Sequence, residues 1–141
     1  MRDGPLDSGE QVAHPHDERG TLLAATSDRI VQLHKHFYGK GPTKAKAYLQ
    51  GDLLVVLLRG GYSRVEQTLH DTGHRDAVIA QRAAYQEAVE GHFRAAIESL
   101  LGREVLAFMS TNHEDPDMMA ELFVLAPAME ETRAKATVDE P

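Results

Sequence analysis

A six-residue apolar run from Leu53 to Leu58 is the feature that most constrains how this chain can fold. It is the longest wholly apolar stretch in the sequence, and a membrane-spanning helix needs about 20 such residues. Gly51-Asp52 precedes the run, and Gly60-Gly61 follows shortly after it. A short run that is apolar on both faces and is bounded by turn residues indicates a strand in the middle of a sheet.

The residues around this run predict two hairpins. From Thr43 to Gln50, small or apolar side chains alternate with polar ones, and Gly51-Asp52 suits a two-residue turn with glycine first. A second pair of strands is predicted over 104–112 and 119–126, joined by a His-Glu-Asp-Pro-Asp turn at 113–117. Two hairpins together indicate a four-stranded, mainly antiparallel sheet.

Three segments have the pattern of helices. An apolar stripe that includes Ile30 and Leu33 predicts a first helix over 21–38, with Gly39 as its C-terminal cap. Ser63 and Glu66 form a capping box that starts a short helix. A longer helix is predicted over 76–101, with Gly102 closing it. The element order α-β-β-α-α-β-β predicts a single α+β domain with the helices packed on one face of the sheet.

Composition and charge exclude several function classes. The 141 residues fit one domain, and the absence of cysteine excludes a disulfide framework, a cysteine zinc site and a thiol nucleophile. The formal net charge of −7 argues against non-specific nucleic-acid binding, although it leaves room for a local basic site. No export signal is visible at Met1, so the expected location is the cytoplasm.

The two ends of the chain differ from its centre. Residues 1–20 carry a net charge of −3 and residues 127–141 a net charge of −2, and both lack apolar periodicity. We therefore predict a mobile N-terminal tail over 1–20, an α+β domain over 21–126, and a mobile C-terminal tail over 127–141.

The loop Gly39-Lys40-Gly41-Pro42 is the best candidate for ligand binding. Its glycines can expose backbone N–H groups, and Lys44 and Lys46 follow in a stretch without acidic residues. Amides beside lysines favour an anion or phosphate site, although the spacing is not that of a P-loop. The alternative is a helix C-cap followed by proline, with lysines that complement the helix dipole.

Arg82 interrupts the apolar stripe of the long helix. A buried guanidinium without a partner is too costly, so it must reach solvent, pair with a carboxylate or contact a ligand. Glu66, Asp71 and Glu121 are the candidate carboxylates. The candidate ligand-binding residues are therefore Gly39, Lys40, Gly41, Lys44, Lys46 and Arg82, with a structural ion pair as the alternative role of Arg82.

The sequence predicts no catalytic, metal or cofactor site. The eight histidines do not indicate a metal site. His34 and His36 point in different directions on a helix, and His70 and His74, although four residues apart, lie on either side of the expected helix break at Gly73. His92 is expected to pack in the core. Motifs for nucleophilic catalysis are missing from the sequence. An enzyme with a pocket around Arg82 is therefore the least favoured hypothesis, and a weak RNA-binding role of the basic segment 35–46 ranks between it and the anion-binding hypothesis.

Several of these features occur together in a known bacterial family. They are Gly39-Lys40-Gly41-Pro42, the strand Lys44-Ala45-Lys46-Ala47-Tyr48, the Gly51-Asp52 turn before the apolar run, residues 60–66, Leu69, Gly73, Arg82, residues 101–105, Ser110 and residues 123–125. Over residues 25–126 the chain resembles the MpsC-like family, which is named for a sodium-translocating, membrane-potential-generating system. Thr111 departs from the family pattern, which has an acidic residue there, and this weakens any cation site on that strand.

The resemblance implies a soluble, non-enzymatic accessory or regulatory protein of a membrane ion or inorganic-carbon transport system. Such a protein would reach the inner face of the membrane through transporter subunits, without inserting into it. The alternative function is a small anion- or phosphate-binding module that uses the Gly-Lys-Gly-Pro loop. A homodimer is also expected, because the apolar strand and the long helix offer more apolar surface than one short helix covers.

Overall fold

A computed structural model describes residues 15–128 and shows a four-stranded sheet with three helices. The elements are α1 (Pro15–Tyr38), β1 (Lys44–Gln50), β2 (Leu53–Arg59), α2 (Arg64–Asp71), α3 (Arg75–Leu101), β3 (Val105–His113) and β4 (Met118–Leu125). This is the predicted order α-β-β-α-α-β-β, so the α+β prediction is confirmed. The capping box of Ser63 and Glu66 is also formed at the start of α2.

The N-terminal boundary differs from the prediction. The helix α1 begins at Pro15, so residues 15–20 are helical and were wrongly assigned to a mobile tail. Proline is favoured in the first turn of a helix because its fixed φ suits the helical backbone. Arg19 then donates a hydrogen bond to the carbonyl of Leu49 on β1, which holds this part of α1 against the sheet. The rest of the predicted tails, over 1–14 and 129–141, lies outside the described residues.

The sheet has the strand order β1-β2-β4-β3, and all neighbouring strands are antiparallel. The apolar strand β2 is therefore central, as predicted, with β4 as its second neighbour. The register sets Val56 opposite Ala47 on one side and opposite Glu121 on the other. Ser110 of β3 lies opposite Glu121 in turn. The cross-strand row Ala47, Val56, Glu121 and Ser110 thus places two polar residues, Glu121 and Ser110, near the middle of the sheet.

The two faces of the sheet differ in what covers them. On the inner face, Leu54, Val56 and Leu58 of β2 are buried beneath α1 and α3. Within residues 15–128, no helix packs on the opposite face, which we name the open face. The open face comprises Lys44, Lys46, Tyr48 and Gln50 of β1, Leu53, Val55, Leu57 and Arg59 of β2, Met118, Ala120, Leu122 and Val124 of β4, and Ala107, Met109, Thr111 and His113 of β3.

The helix α3 supplies one side of the core. Its buried residues are Val78, Arg82, Gln86, Val89, Phe93 and Ile97, so the predicted apolar stripe includes two polar positions. The prediction that His92 packs in the core is wrong, because its side chain is exposed and its ring contacts Phe37 at the surface. Gly102 ends α3 in a left-handed conformation with φ 66°, as expected for a residue without Cβ.

Candidate functional site

A small cavity lies where the helices, the sheet and two glycine loops meet. We name it the interior cavity. It is lined by His34, Tyr38, Lys40, Pro42, Leu58, Gly60, Gly61, Arg82, Tyr85 and Met119. Its volume of about 10 Å³ is enough for roughly one water molecule. The enclosed part of the cavity can therefore hold a water or a very small ligand, while its mouth is open to solvent.

The glycines close one side of this cavity by allowing two loops to touch. Gly61 has φ 108°, and a Cβ there would lie 3.3 Å from the Cα of Pro42. At Gly60, with φ 74°, a Cβ would lie 2.6 Å from Oγ1 of Thr43. Glycine is therefore favoured at both positions for two reasons: the backbone has a positive φ, and the neighbouring loop leaves no room for a Cβ.

A buried hydrogen-bonded chain connects α1, α3 and β4 beside the cavity. Nε2 of His34 lies 3.0 Å from Oε1 of Glu121, and the hydroxyl of Tyr85 lies 3.0 Å from Nδ1 of His34. Burial and the negative charge of Glu121 raise the pKa of Tyr85 well above its usual range, so the phenol keeps its proton. The hydroxyl can then donate to Nδ1 while Nε2–H donates to Glu121, which satisfies both nitrogens of a neutral imidazole.

Two polar atoms near this chain are unsatisfied. Glu121 has no exposed surface, and among the described residues its Oε2 has no hydrogen-bond partner. The Oγ of Ser110, which is opposite Glu121 in the sheet, also lacks a partner within residues 15–128. Buried polar atoms of this kind usually bind water or a ligand, so this row is a candidate position for one.

Arg82 is committed to an ion-pair network. Its Nε lies 2.9 Å from Oε2 of Glu66 and its Nη2 lies 3.2 Å from Oε1, so the pair is bidentate. Its Nη1 donates to Asn112 at 3.0 Å and reaches Asp117 at 3.4 Å. The guanidinium also lies over the ring of Tyr62, 4.6 Å from its centroid. Of the three carboxylates considered as partners, only Glu66 pairs with Arg82.

The network sets the protonation of its members. Burial alone lowers the pKa of Arg82, but the hydrogen bond and charge of Glu66, helped by Asp117, outweigh burial and raise it. Arg82 therefore remains charged. For Asp117, burial raises the pKa, and Arg82 offsets that rise only in part. The ion pair considered as the alternative for Arg82 is thus formed with Glu66.

The structure brings together only part of the sequence-predicted ligand site. Lys40 and Arg82 both line the interior cavity. Gly39 caps α1, with φ 88° and its N–H bonded to the carbonyl of Lys35, and Gly41 packs on the side chain of Lys35. Lys44 and Lys46 belong to the open face, so the sheet separates them from the cavity.

Sequence reasoning missed the residues that form the polar interior. His34 follows Leu33 in the stripe that predicts α1, but no partner was predicted for it, and Glu121 was considered only as a partner of Arg82. One signal was available: Glu121 is an acidic residue in the otherwise apolar strand Met118–Leu125. Among residues 15–128, no group of three or more histidine, aspartate or glutamate side chains is placed to hold a metal ion.

Replacing Tyr85 with phenylalanine is expected to reduce the loss of stability at alkaline pH. The pKa of Tyr85 is raised in the folded protein, whereas in the unfolded chain it is about 10. Above about pH 10 the unfolded state therefore binds fewer protons, and the free energy of unfolding falls by up to about 1.4 kcal/mol per pH unit. Urea unfolding at several pH values between about 8 and 11 measures this slope.

The matched control for this variant is Tyr48→Phe, which removes a hydroxyl from a side chain that is 47% exposed. Above about pH 10, the free energy of unfolding of Tyr48→Phe is expected to fall with pH as steeply as that of the wild type. For Tyr85→Phe it is expected to fall less steeply. At neutral pH, Tyr85→Phe also loses about 1 kcal/mol or more, because Nδ1 of His34 loses its donor. An alkaline slope for Tyr85→Phe equal to that of the wild type would contradict the assignment.

Comparison with known proteins gives one match. The family model described as "Na+-translocating membrane potential-generating system (MpsC)" matches residues 18–127, which extend from the first turns of α1 to just beyond β4. Searches of curated proteins and of solved structures gave no match to the chain. No helix within residues 15–128 is long and apolar enough to cross a membrane.

Proposed function

The chain belongs to the MpsC family, and we propose that it is a non-enzymatic accessory or regulatory component of a membrane ion or inorganic-carbon transport system. Family membership over residues 18–127 is the observation that carries this proposal. In the proposed role the protein lies on the cytoplasmic side of the membrane and acts by contact with transporter subunits, as a homodimer.

At the interior cavity, the geometry supports a binding role over a catalytic one. The interior cavity has room for about one water molecule. The groups beside it that could act as acids or bases are bonded to one another: His34 to Glu121 and Tyr85, and Arg82 to Glu66. A reaction centre needs such groups within reach of a substrate atom. Contact with another protein needs only an accessible surface.

Affinity capture tests the proposed function. The tagged full chain is expressed in its native cell, extracted in mild detergent and captured, and the bound proteins are identified by mass spectrometry. We expect recovery of a polytopic membrane protein. Lys40→Ala is expected to weaken capture, because Lys40 is the exposed cation of the Gly-Lys-Gly-Pro loop. Lys46→Ala, on the opposite side of the sheet, is the matched control. Capture of no membrane protein in mild detergent would contradict the proposal.

A second candidate function is binding of a small anion by the Gly-Lys-Gly-Pro loop. It is favoured by the position of Lys40 at the interior cavity. The carboxylates that occupy Arg82 leave Lys40 as the cation available to an anion at this cavity. Thermal unfolding with bicarbonate, phosphate or a nucleotide tests this function, because ligand at about 100 times its Kd stabilises a protein by roughly 2.7 kcal/mol. Unchanged melting temperatures would rule it out.

A further inference from the structure

Three basic side chains lie together at one end of the open face. Lys44 of β1 is directly opposite Arg59 of β2, and Lys46 lies on the same face, two residues along β1. Like charges that are directly opposite each other destabilise a pair of strands. Within residues 15–128, no carboxylate pairs with any of the three, and the open face has no acidic residue. The counter-charge for these residues, which we name the basic cluster, is therefore expected from outside this part of the chain.

The basic cluster borders a groove of about 350 Å³ in the surface of the sheet. The groove is also lined by Ala45, Tyr48 and Leu57. Nζ of Lys46 lies 5.3 Å from the centre of the Tyr48 ring, and Nη1 of Arg59 lies 3.7 Å from Sδ of Met118, which is a weak acceptor. A guanidinium has five N–H donors, so most of the donors of Arg59 remain available to the oxygens of a phosphate group.

Beyond the basic cluster, the open face is apolar. It has no further lysine or arginine, and Tyr48, Leu53 and Met109 are 47%, 37% and 51% exposed. Binding at a membrane interface combines the burial of apolar area with attraction to anionic lipids. The open face offers both components side by side, which fits phosphate groups that border an apolar layer.

We propose that the open face contacts a membrane surface that contains anionic phospholipids, with the basic cluster at their phosphate groups. The formal charge of −7 includes the three positive charges of the cluster, so the rest of the chain is more acidic still. An anionic surface attracts a locally positive face and repels the rest, which sets the open face toward the membrane and the helices away from it. The inference rests on the proposed function only for the location of the protein beside a membrane.

An acidic segment of a membrane protein fits the basic cluster less well. Cytoplasmic loops of membrane proteins are enriched in lysine and arginine, so transporter subunits would present like charge close to the membrane. The cytoplasmic leaflet, by contrast, has a negative surface potential that attracts basic residues. Charge complementarity therefore favours the lipid surface as the occupant of the open face.

Sedimentation with lipid vesicles tests the inference on the purified full chain. We expect binding to phosphatidylcholine vesicles that contain about 30% phosphatidylglycerol. The partition coefficient should be at least about 20-fold higher than for phosphatidylcholine alone, because each basic residue at an anionic surface strengthens binding about fivefold. Binding should weaken as the salt concentration rises from about 0.05 to about 0.5 M, because salt screens charges at a surface.

Variants that remove one charge locate the contact. Lys46→Gln and Arg59→Gln are each expected to lower the partition coefficient about fivefold, and the double variant about 25-fold. Arg29→Gln is the matched control, because it removes the same charge from an exposed position of α1. Since charges beyond a Debye length of about 10 Å are largely screened, its partition coefficient should stay within about twofold of the wild type. Circular dichroism checks that each variant folds.

Three results would overturn the inference. The first is equal partitioning of the wild type to anionic and neutral vesicles. The second is partitioning that Lys46→Gln and Arg59→Gln leave unchanged, or that Arg29→Gln lowers by as much. The third is binding of single-stranded poly-uridine, or a rise in melting temperature with inorganic phosphate, without binding to vesicles.

The vesicle experiment and the affinity capture can fail independently. Capture is performed in detergent, where no lipid bilayer is present, and the vesicles contain no transporter. Capture of a membrane protein without vesicle binding overturns this inference alone, and vesicle binding without capture contradicts the proposed function alone.

Discussion

Replacing Arg82 with methionine is expected to lower the free energy of unfolding by about 3–5 kcal/mol, the usual cost of breaking a buried ion pair by removing one partner. The side chains of Arg82 and Glu66 are 4% and 0% exposed, so water cannot compensate the carboxylate that remains. Asp117, which reaches Arg82 at 3.4 Å, would lose the same partner. Urea unfolding followed by circular dichroism measures the change.

The controls for Arg82→Met separate burial from charge. Arg94 pairs with Glu90 at 3.1 Å on the same helix, but both side chains are about a third or more exposed, so Arg94→Met should cost only about 0.5 kcal/mol. The double variant Glu66→Gln with Arg82→Met should lose at least about 1 kcal/mol less than the two single losses summed. A loss below about 1 kcal/mol for Arg82→Met would contradict the structural role of the pair.

Glu66 shows why this pair matters beyond its own energy. Its carboxylate accepts hydrogen bonds from Tyr38 at the end of α1, from the backbone N–H of Ser63 before α2, and from Arg82 in α3. One buried carboxylate thus connects all three helices. The same contacts position Tyr38 and Arg82, which both line the interior cavity, so the shape of the cavity depends on the pair.

The sequence was sufficient for the features that are encoded locally. The hairpin turn at Gly51-Asp52, the capping box of Ser63 and the αL cap at Gly102 each depend on residues a few positions apart, and each is present. The apolar run from Leu53 to Leu58 lies in the strand Leu53–Arg59, which has the predicted central position. Local patterns of this kind are reliable because neighbouring residues supply most of their physical cause.

The candidate site was harder to predict because it depends on residues that are far apart in the chain. His34 and Glu121 are separated by 87 positions, and no local pattern indicates that they meet. The alternation in β1 correctly set Lys44 and Lys46 on one face of the strand, but it could not show that the interior cavity lies on the other side of the sheet. The pairing of Arg82 with Glu66 was one of three possibilities until the helices were placed.

Replacing Phe93 with alanine is expected to lower the free energy of unfolding by about 3–5 kcal/mol, the usual cost of deleting a buried aromatic ring. Phe93 has no exposed surface, and its ring meets those of His34 at 5.0 Å and Phe108 at 6.1 Å. Its removal leaves a void between α1, α3 and the sheet that close-packed neighbours cannot fill. Urea unfolding again measures the effect, with the m value showing whether unfolding stays two-state.

The size of the loss should depend on the volume removed and on the burial of the site. Phe93→Leu keeps most of the volume and should cost less than about 1.5 kcal/mol, while Ile79→Ala, at an exposed position of the same helix, should change stability by at most about 0.5 kcal/mol. Equal losses for the alanine and leucine variants would mean that the contact with His34, and not packing volume, dominates at this position. Because His34 also holds Tyr85 and Glu121, that result would make the aromatic contact of Phe93 the element that fixes the buried polar chain in place.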